Sequence, residues 1–141
     1  MTYPISQIAE IIKIKKVNNP DHQISHLLTD SREVFNPEHT LFFALKTSNN
    51  DGHKLVDELY YLGVRNFVVQ TALPELKDLK DANFLQVKDS LDALQKIATF
   101  HRSEFTIPII GITGSNGKTI VKEWIYQLLE SEKNITRSPR S

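Results

Sequence analysis

Cysteine is absent from the 141-residue chain, which excludes disulfides and thiolate metal sites. An excess of charge is missing too. Lys plus Arg and Asp plus Glu each number 17, so nothing points to nucleic acid or an anionic membrane surface as a partner. No apolar run approaches the length of a membrane span. The opening Met1-Thr2-Tyr3-Pro4-Ile5-Ser6 has neither a basic n-region nor an apolar h-region, and a signal peptide is not expected. Internal repeats and low-complexity tracts are lacking. His22, His26, His39, His53 and His101 are scattered, with no i, i+4 pair on a helix beside an acid, so a histidine metal site is not expected. Ser31 lacks the Gly-x-Ser-x-Gly frame of a hydrolase elbow. Tyr60, Tyr61 and Trp124 read as packing residues rather than base-stacking platforms. What remains is 40% hydrophobic and 24% charged, an ordinary soluble profile for which a cytoplasmic location is expected.

Apolar runs and helical stripes alternate along the chain. Ile5, Ile8, Ile11 and Ile12 recur at helical spacing after Pro4, predicting a helix over 5–12. Strands are expected at 24–28, 40–45, 66–70 and 84–87. Leu55, Val56, Leu59 and Leu62 predict a helix closed by Gly63. Asp89 or Ser90 caps a helix with Leu91, Leu94, Ile97, Ala98 and His101 on one face. Residues 71–82 read as a solvated connection. A strand at 107–110, a loop from Gly111 to Thr119 and a helix carrying Val121, Trp124, Ile125, Leu128 and Leu129 complete the series. Alternation of this kind argues an α/β fold with a largely parallel sheet. A boundary is expected near 103–107, giving domains 1–105 and 106–141.

The strongest chemical signal is Gly111-Ile112-Thr113-Gly114-Ser115-Asn116-Gly117-Lys118-Thr119, set between an apolar run and an amphipathic stretch. Glycines let the backbone curl until several N–H groups converge on one anion. A helix N-terminus adds partial positive charge. Lys118 supplies a full charge for β- and γ-phosphates, and the Thr119 hydroxyl suits Mg²⁺. The spacing departs from the general P-loop, because Gly111 lies one residue too far from Gly117-Lys118 and Gly114 too close. The competing reading is a glycine-rich turn that only caps a helix.

A second polar constellation follows two of the expected strands: Thr29-Asp30-Ser31-Arg32, then Lys46 to His53. Ligands of α/β sheets collect at the carboxyl ends of strands. Arg32 and Lys46 suit a diphosphate; Ser31, Asn49 and Asn50 suit a sugar or base; His53 suits a helix cap or a phosphate. Ordinary loop polarity competes with this reading.

Three blocks, 29–69, 84–102 and 108–124, resemble in order the Mur ligases of peptidoglycan synthesis. The resemblance rests on Asp30-Ser31-Arg32 and Asp51-Gly52-His53, with Thr113-Gly114-Ser115-Asn116-Gly117-Lys118-Thr119 downstream. Within the family the phosphate-loop block is similar to the branch that adds D-alanyl-D-alanine to UDP-MurNAc-tripeptide. Ile120, where a second Thr is usual, is similar to a variety fused to alanine racemase.

This resemblance implies roles. Asp30, Ser31, Arg32, Lys46, Thr47, Asn49, Asn50, Asp51, Gly52 and His53 would bind the UDP part of the substrate. Thr113, Gly114, Ser115, Asn116, Gly117, Lys118 and Thr119 would hold ATP, with Lys118 catalytic and Thr119 on Mg²⁺. The implied reaction phosphorylates the tripeptide carboxylate, and the amine of D-Ala-D-Ala then displaces phosphate. The implied partners are therefore UDP-MurNAc-tripeptide and D-Ala-D-Ala, without nucleic acid or membrane insertion. Other Mur ligase steps and a non-catalytic nucleotide-binding module are the alternatives; a folylpolyglutamate synthase would lack the Asp-Ser-Arg domain. The family's further metal-binding acids and its amino-acid-binding domain have no counterpart in these 141 residues. The chain is thus expected to be an N-terminal fragment, inactive alone and self-associating through residues 107–130.

Overall fold

A computed structural model describes residues 2–48, 50–73, 79 and 81–138. The chain divides into two compact units, Met1–Phe105 and Thr106–Ser141.

In the first unit a short strand β1 (Tyr3–Pro4) leads into helix α1 (Ile5–Ile11). Pro4 sits at the cap with φ −64°, the angle its ring imposes and a helix accepts. Ile5, Ile8 and Ala9 form the buried stripe. The helix stops in a Schellman motif: Lys13 N–H donates to the Glu10 carbonyl at 3.0 Å and Ile14 N–H to that of Ala9 at 2.8 Å. Lys13 adopts φ 62° there without being glycine.

The strand expected at 24–28 is two strands. Strand β2 (Gln23–Ile24) pairs antiparallel with β1, while β3 (His26–Leu28) joins a different sheet. Ser25 marks the change, its N–H donating to the His39 carbonyl at 3.0 Å. One apolar run can serve two sheets because the neighbours that receive its hydrogen bonds differ on either side of that residue.

The main sheet takes β3, β4 (Thr40–Phe43), β5 (Asn66–Val69) and β6 (Asn83–Gln86) in that order, all parallel. Helix α2 (Val56–Tyr61) lies between β4 and β5 in sequence, and α3 (Ser90–Ser103) follows β6. Period-2 alternation sends neighbouring side chains to opposite faces. Leu41, Phe43, Val68 and Leu85 pack with α1 and α3, and Phe42, Phe67 and Val69 with α2. Both faces are covered, as a parallel sheet requires. Each fully buried Phe contributes about 1.5–3 kcal/mol relative to exposure.

Helix α2 closes as expected at Gly63, which has φ 100°. Gly63 N–H donates to Tyr60 and Val64 N–H to Leu59, both at 3.0 Å. Asp89 caps α3, its Oδ1 accepting from Leu91 N–H at 2.8 Å and Asp92 N–H at 3.2 Å. The buried stripe of α3 is Ser90, Ala93 and Ile97, and Leu91 is exposed. The stripe is rotated from the expected face because small residues at 90 and 93 let the helix approach the sheet closely. Within the connection 71–82, residues 74–78 and 80 lie outside the described residues.

The second unit holds helix α4 (Lys118–Leu129), and residues 105–114 have no regular structure. The strand expected at 107–110 is not formed. A run buried on both faces needs neighbouring strands, and the second unit has none among its described residues. Ile109, Ile110, Trp124 and Leu128 are exposed, and Ile125 and Leu129 are half-buried. Among the described residues no helix is long and apolar enough to cross a membrane.

Candidate functional site

Because β3 and β4 are parallel neighbours, with Leu28 in register with Phe42, the segments following them leave the same edge of the sheet. These are the two polar clusters singled out above.

After β3, Asp30 caps a 3-10 turn over Ser31–Glu33, its carboxylate accepting the Arg32 N–H at 3.1 Å. The Arg32 guanidinium closes onto the same carboxylate, with Nε 2.9 Å from Oδ1. The side-chain and backbone hydrogen bonds from Arg32 hold the Asp30 carboxyl down to about 2. Arg32 remains exposed, and Ser31 is half-buried.

After β4, the chain makes a tight excursion from Lys46 to Asp51, which form an isolated antiparallel bridge. Thr47 N–H donates to the Asn50 carbonyl at 2.8 Å, and Asn50 N–H returns a bond to Thr47 Oγ1 at 3.1 Å. Lys46 Nζ stands 3.7 Å from Asp51 Oδ2. Gly52 closes the excursion with an N–H to the Leu45 carbonyl at 2.8 Å. A β-carbon on Gly52 would lie 3.0 Å from both backbone N and O of Leu45, so close approach dictates glycine. Asp51 caps the next 3-10 turn, Gly52–Leu55, accepting from His53 N–H at 3.1 Å. It also meets His53 Nδ1 at 2.6 Å, and these bonds hold its carboxyl below the ordinary range.

The far ring nitrogen, His53 Nε2, accepts the Gln70 N–H at 2.9 Å. His53, expected as a helix cap or phosphate contact, thus has both ring nitrogens engaged within the protein. Gln70 had no signature in the sequence, because it contributes only a backbone N–H. Asn49 lies outside the described residues.

In the second unit, Ser115, Asn116, Gly117, Lys118, Thr119 and Ile120 line an open depression. Gly117 caps α4 at φ 78°, and Gly114 has φ 153°, conformations that favour glycine. No side chain caps this helix, so its first N–H groups carry the positive end of the helix dipole with no competing carboxylate. Lys118 Nζ arches back to the Gly114 carbonyl at 2.6 Å, which places the ammonium over the loop. Thr113 precedes these residues and is exposed, as is Thr119. Glycine conformation, an uncapped helix start and a lysine over the turn suit a polyphosphate.

No family model matches the chain. It is 31% identical over 137 residues to the UDP-N-acetylmuramoyl-tripeptide--D-alanyl-D-alanine ligase of Bacillus subtilis, covering 95% of this chain and 29% of that protein. The ligase of the same name from Synechocystis sp. is 37% identical over 118 residues, 84% of this chain and 25% of its own. Among solved structures, MurF from Acinetobacter baumannii superposes with TM-score 0.81 at 25% identity, over 99% of this chain and 30% of that one. The chain belongs to the Mur ligases.

Within that family it is MurF-like, and it spans under a third of the length of the relatives it matches. The match with the B. subtilis ligase leaves only a few residues of the chain uncovered, so both loops fall inside the Mur ligase resemblance. A MurF ligase from Thermotoga maritima in complex with ADP also superposes, with TM-score 0.69 at 28% identity over 82% of this chain and 26% of that one. A Mur ligase of another step is similar too: the UDP-N-acetylmuramoyl-L-alanyl-D-glutamate--2,6-diaminopimelate ligase of Cytophaga hutchinsonii, 32% identical over 86% of this chain and 25% of its own.

Proposed function

We propose that these residues are the UDP-substrate-binding domain (1–105) and the opening of the ATP-binding domain (106–141) of a cytoplasmic ligase adding D-Ala-D-Ala to UDP-MurNAc-tripeptide. The observation that carries the reading is one continuous resemblance to a UDP-N-acetylmuramoyl-tripeptide--D-alanyl-D-alanine ligase that includes both loops. Bound ATP with Mg²⁺ would supply the phosphoryl group that activates the tripeptide carboxylate.

The chain's own residues act around that step. Ser115 to Thr119 surround the phosphates with backbone N–H groups. Lys118, which stands at the Gly114 carbonyl, would bind a phosphate oxygen and offset charge on a transferring phosphoryl group. The Thr119 hydroxyl would hold Mg²⁺ as one oxygen ligand. In the first unit, Lys46 and Arg32 exchange their carboxylate partners for the diphosphate. Ser31, Thr47 and Asn50 hydrogen-bond the sugar or base.

In this reading the 141-residue chain binds UDP-MurNAc-tripeptide. Isothermal titration with that compound tests the assignment: saturable binding is expected, and its absence would overturn the domain assignment. A different Mur ligase step is the second reading, favoured by the likeness to the diaminopimelate-adding ligase; comparing UDP-MurNAc-dipeptide with the tripeptide in the completed enzyme separates them. The exposed Trp124 and Leu128 on α4 make a patch suited to self-association. Sedimentation of the chain is expected to show dimers or larger species at high concentration, and a strict monomer would sink that point.

A further inference from the structure

We infer that His53, held as a neutral imidazole with its proton on Nδ1, is a positioning residue that clamps the nucleotide-binding excursion 46–51 to the end of β5 without touching the ligand. The inference rests on the UDP-binding reading above and assigns one of its residues a different task.

The tautomer follows from hydrogen-bond chemistry. Gln70 N–H is a backbone donor with no alternative polarity, and it points at His53 Nε2 from 2.9 Å. That nitrogen must therefore offer a lone pair. The remaining proton sits on Nδ1 and is donated to Asp51 Oδ1 at 2.6 Å. The side chain of His53 is 9% exposed, so the ring is enclosed where the two bonds are made. The Asp51–His53 contact is consequently a hydrogen bond from a neutral ring and not an ion pair.

Location gives the clamp its purpose. The ladder between β4 and β5 continues to the bond from Ala44 N–H to Val68 O at 2.9 Å. Just past β5, Gln70 N–H is the next donor on that side, and the imidazole satisfies it. At its other edge the ring fixes Asp51, which also caps the turn through His53 N–H and stands near Lys46. One side chain thereby ties the end of one strand to the loop leaving its neighbour. Gly52, pressed on the Leu45 backbone, leaves no room for the loop to shift past it. Among the described residues of the excursion, Lys46, Thr47, Ser48 and Asn50 face solvent; Asp51 and His53 are already committed. The ligand meets the first set, and the second set decides where the first set stands.

Titration calorimetry with UDP on the whole 141-residue chain, together with ¹⁵N NMR of the His53 ring, tests this. Wild type is expected to show one protonated Nδ1 and one bare Nε2, with both signals retained when UDP is added. His53→Ala is expected to weaken UDP binding about tenfold or more, the scale of losing a hydrogen bond to a charged group. His53→Gln keeps an acceptor near Gln70 N–H and is expected to recover part of that loss.

Three results overturn the proposal alone: a proton on Nε2 in the free chain, ring signals that change tautomer on UDP binding, or His53→Ala binding UDP as tightly as wild type. If His53→Ala does not fold, the wild-type ring spectrum and His53→Gln still decide. Failure of the wild-type chain to bind UDP while the Nδ1-protonated ring is observed overturns the nucleotide reading itself, and the ligand-positioning role with it.

Discussion

The two loops of this Mur ligase segment that we propose as binding loops are built on opposite plans. The excursion 46–53 is held by side chains and neighbours: a Lys46–Asp51 bridge, a largely enclosed imidazole reaching Gln70, and a glycine pressed on the backbone of Leu45. The loop 111–119 is held by its own backbone. Its glycines have positive φ at Gly114 and Gly117, a β-carbon at Gly117 would meet nothing within 4 Å, and every residue from 113 to 119 is exposed. A loop of the first kind owes its shape to tertiary packing. One of the second kind carries its shape in local dihedral preference and can present N–H groups with little support.

Breaking the chemistry of the second loop should have the largest effect. Lys118→Ala in the complete ligase is expected to lower turnover by about three orders of magnitude or more. UDP-substrate affinity should be unchanged if, as proposed, the other loop provides it. Steady-state kinetics paired with substrate titration checks both halves, and retained ligation would refute the role of Lys118.

Adding one methyl group to each loop sharpens the contrast. Gly52→Ala forces a β-carbon against backbone and is expected to destabilise the first unit by about 2 kcal/mol, read from urea unfolding. Gly117→Ala meets open space, so only its φ of 78° resists. A cost of about 1 kcal/mol is expected, appearing as roughly fivefold weaker ADP binding. Equal losses of fold stability in the two variants would erase the distinction.

A similar pair tests dihedral preference inside the first unit. Gly63 and Lys13 occupy equivalent positions in two Schellman motifs. Gly63→Ala should destabilise by about 1 kcal/mol and Lys13→Gly should stabilise by a few tenths, because one introduces and the other removes a β-carbon at positive φ. Thermal melts of the two variants should move in opposite directions.

The smallest effect concerns Asp30. Its folded carboxyl is held at about 2, below the ordinary value, by Arg32. Its contribution is therefore present above the ordinary carboxylate value and is lost as pH falls through about 2. Carbon-13 titration of the carboxyl should show this, and Arg32→Ala should return Asp30 upward. An unmoved titration in that variant would contradict the Arg32 cause.

How much of this was legible depended on whether the signal lay in side chains or in partners. The apolar runs at 40–45, 66–70 and 84–87 announced strands, and Gly63 and Asp89 announced helix ends, because those residues act locally. Lys13 gave no sign of ending α1, since a lysine does not advertise positive φ. The run at 107–110 read as a strand, yet a strand exists only with a ladder. At the site, the polar clusters after β3 and β4 were visible as residue types, and the part played by His53 was not.

By itself the sequence determined the α/β alternation, the glycines and lysine of the loop 111–119, and membership of its family, because hydrophobic period and glycine placement act over a few residues. Only the tertiary structure decided that residues 24 and 26 serve different sheets, and that the loops after β3 and β4 share an edge. It alone decided that His53 lends its lone pair to Gln70. Each of these depends on a backbone N–H or C=O choosing a partner far away in the chain, and every residue but proline carries the same pair of groups.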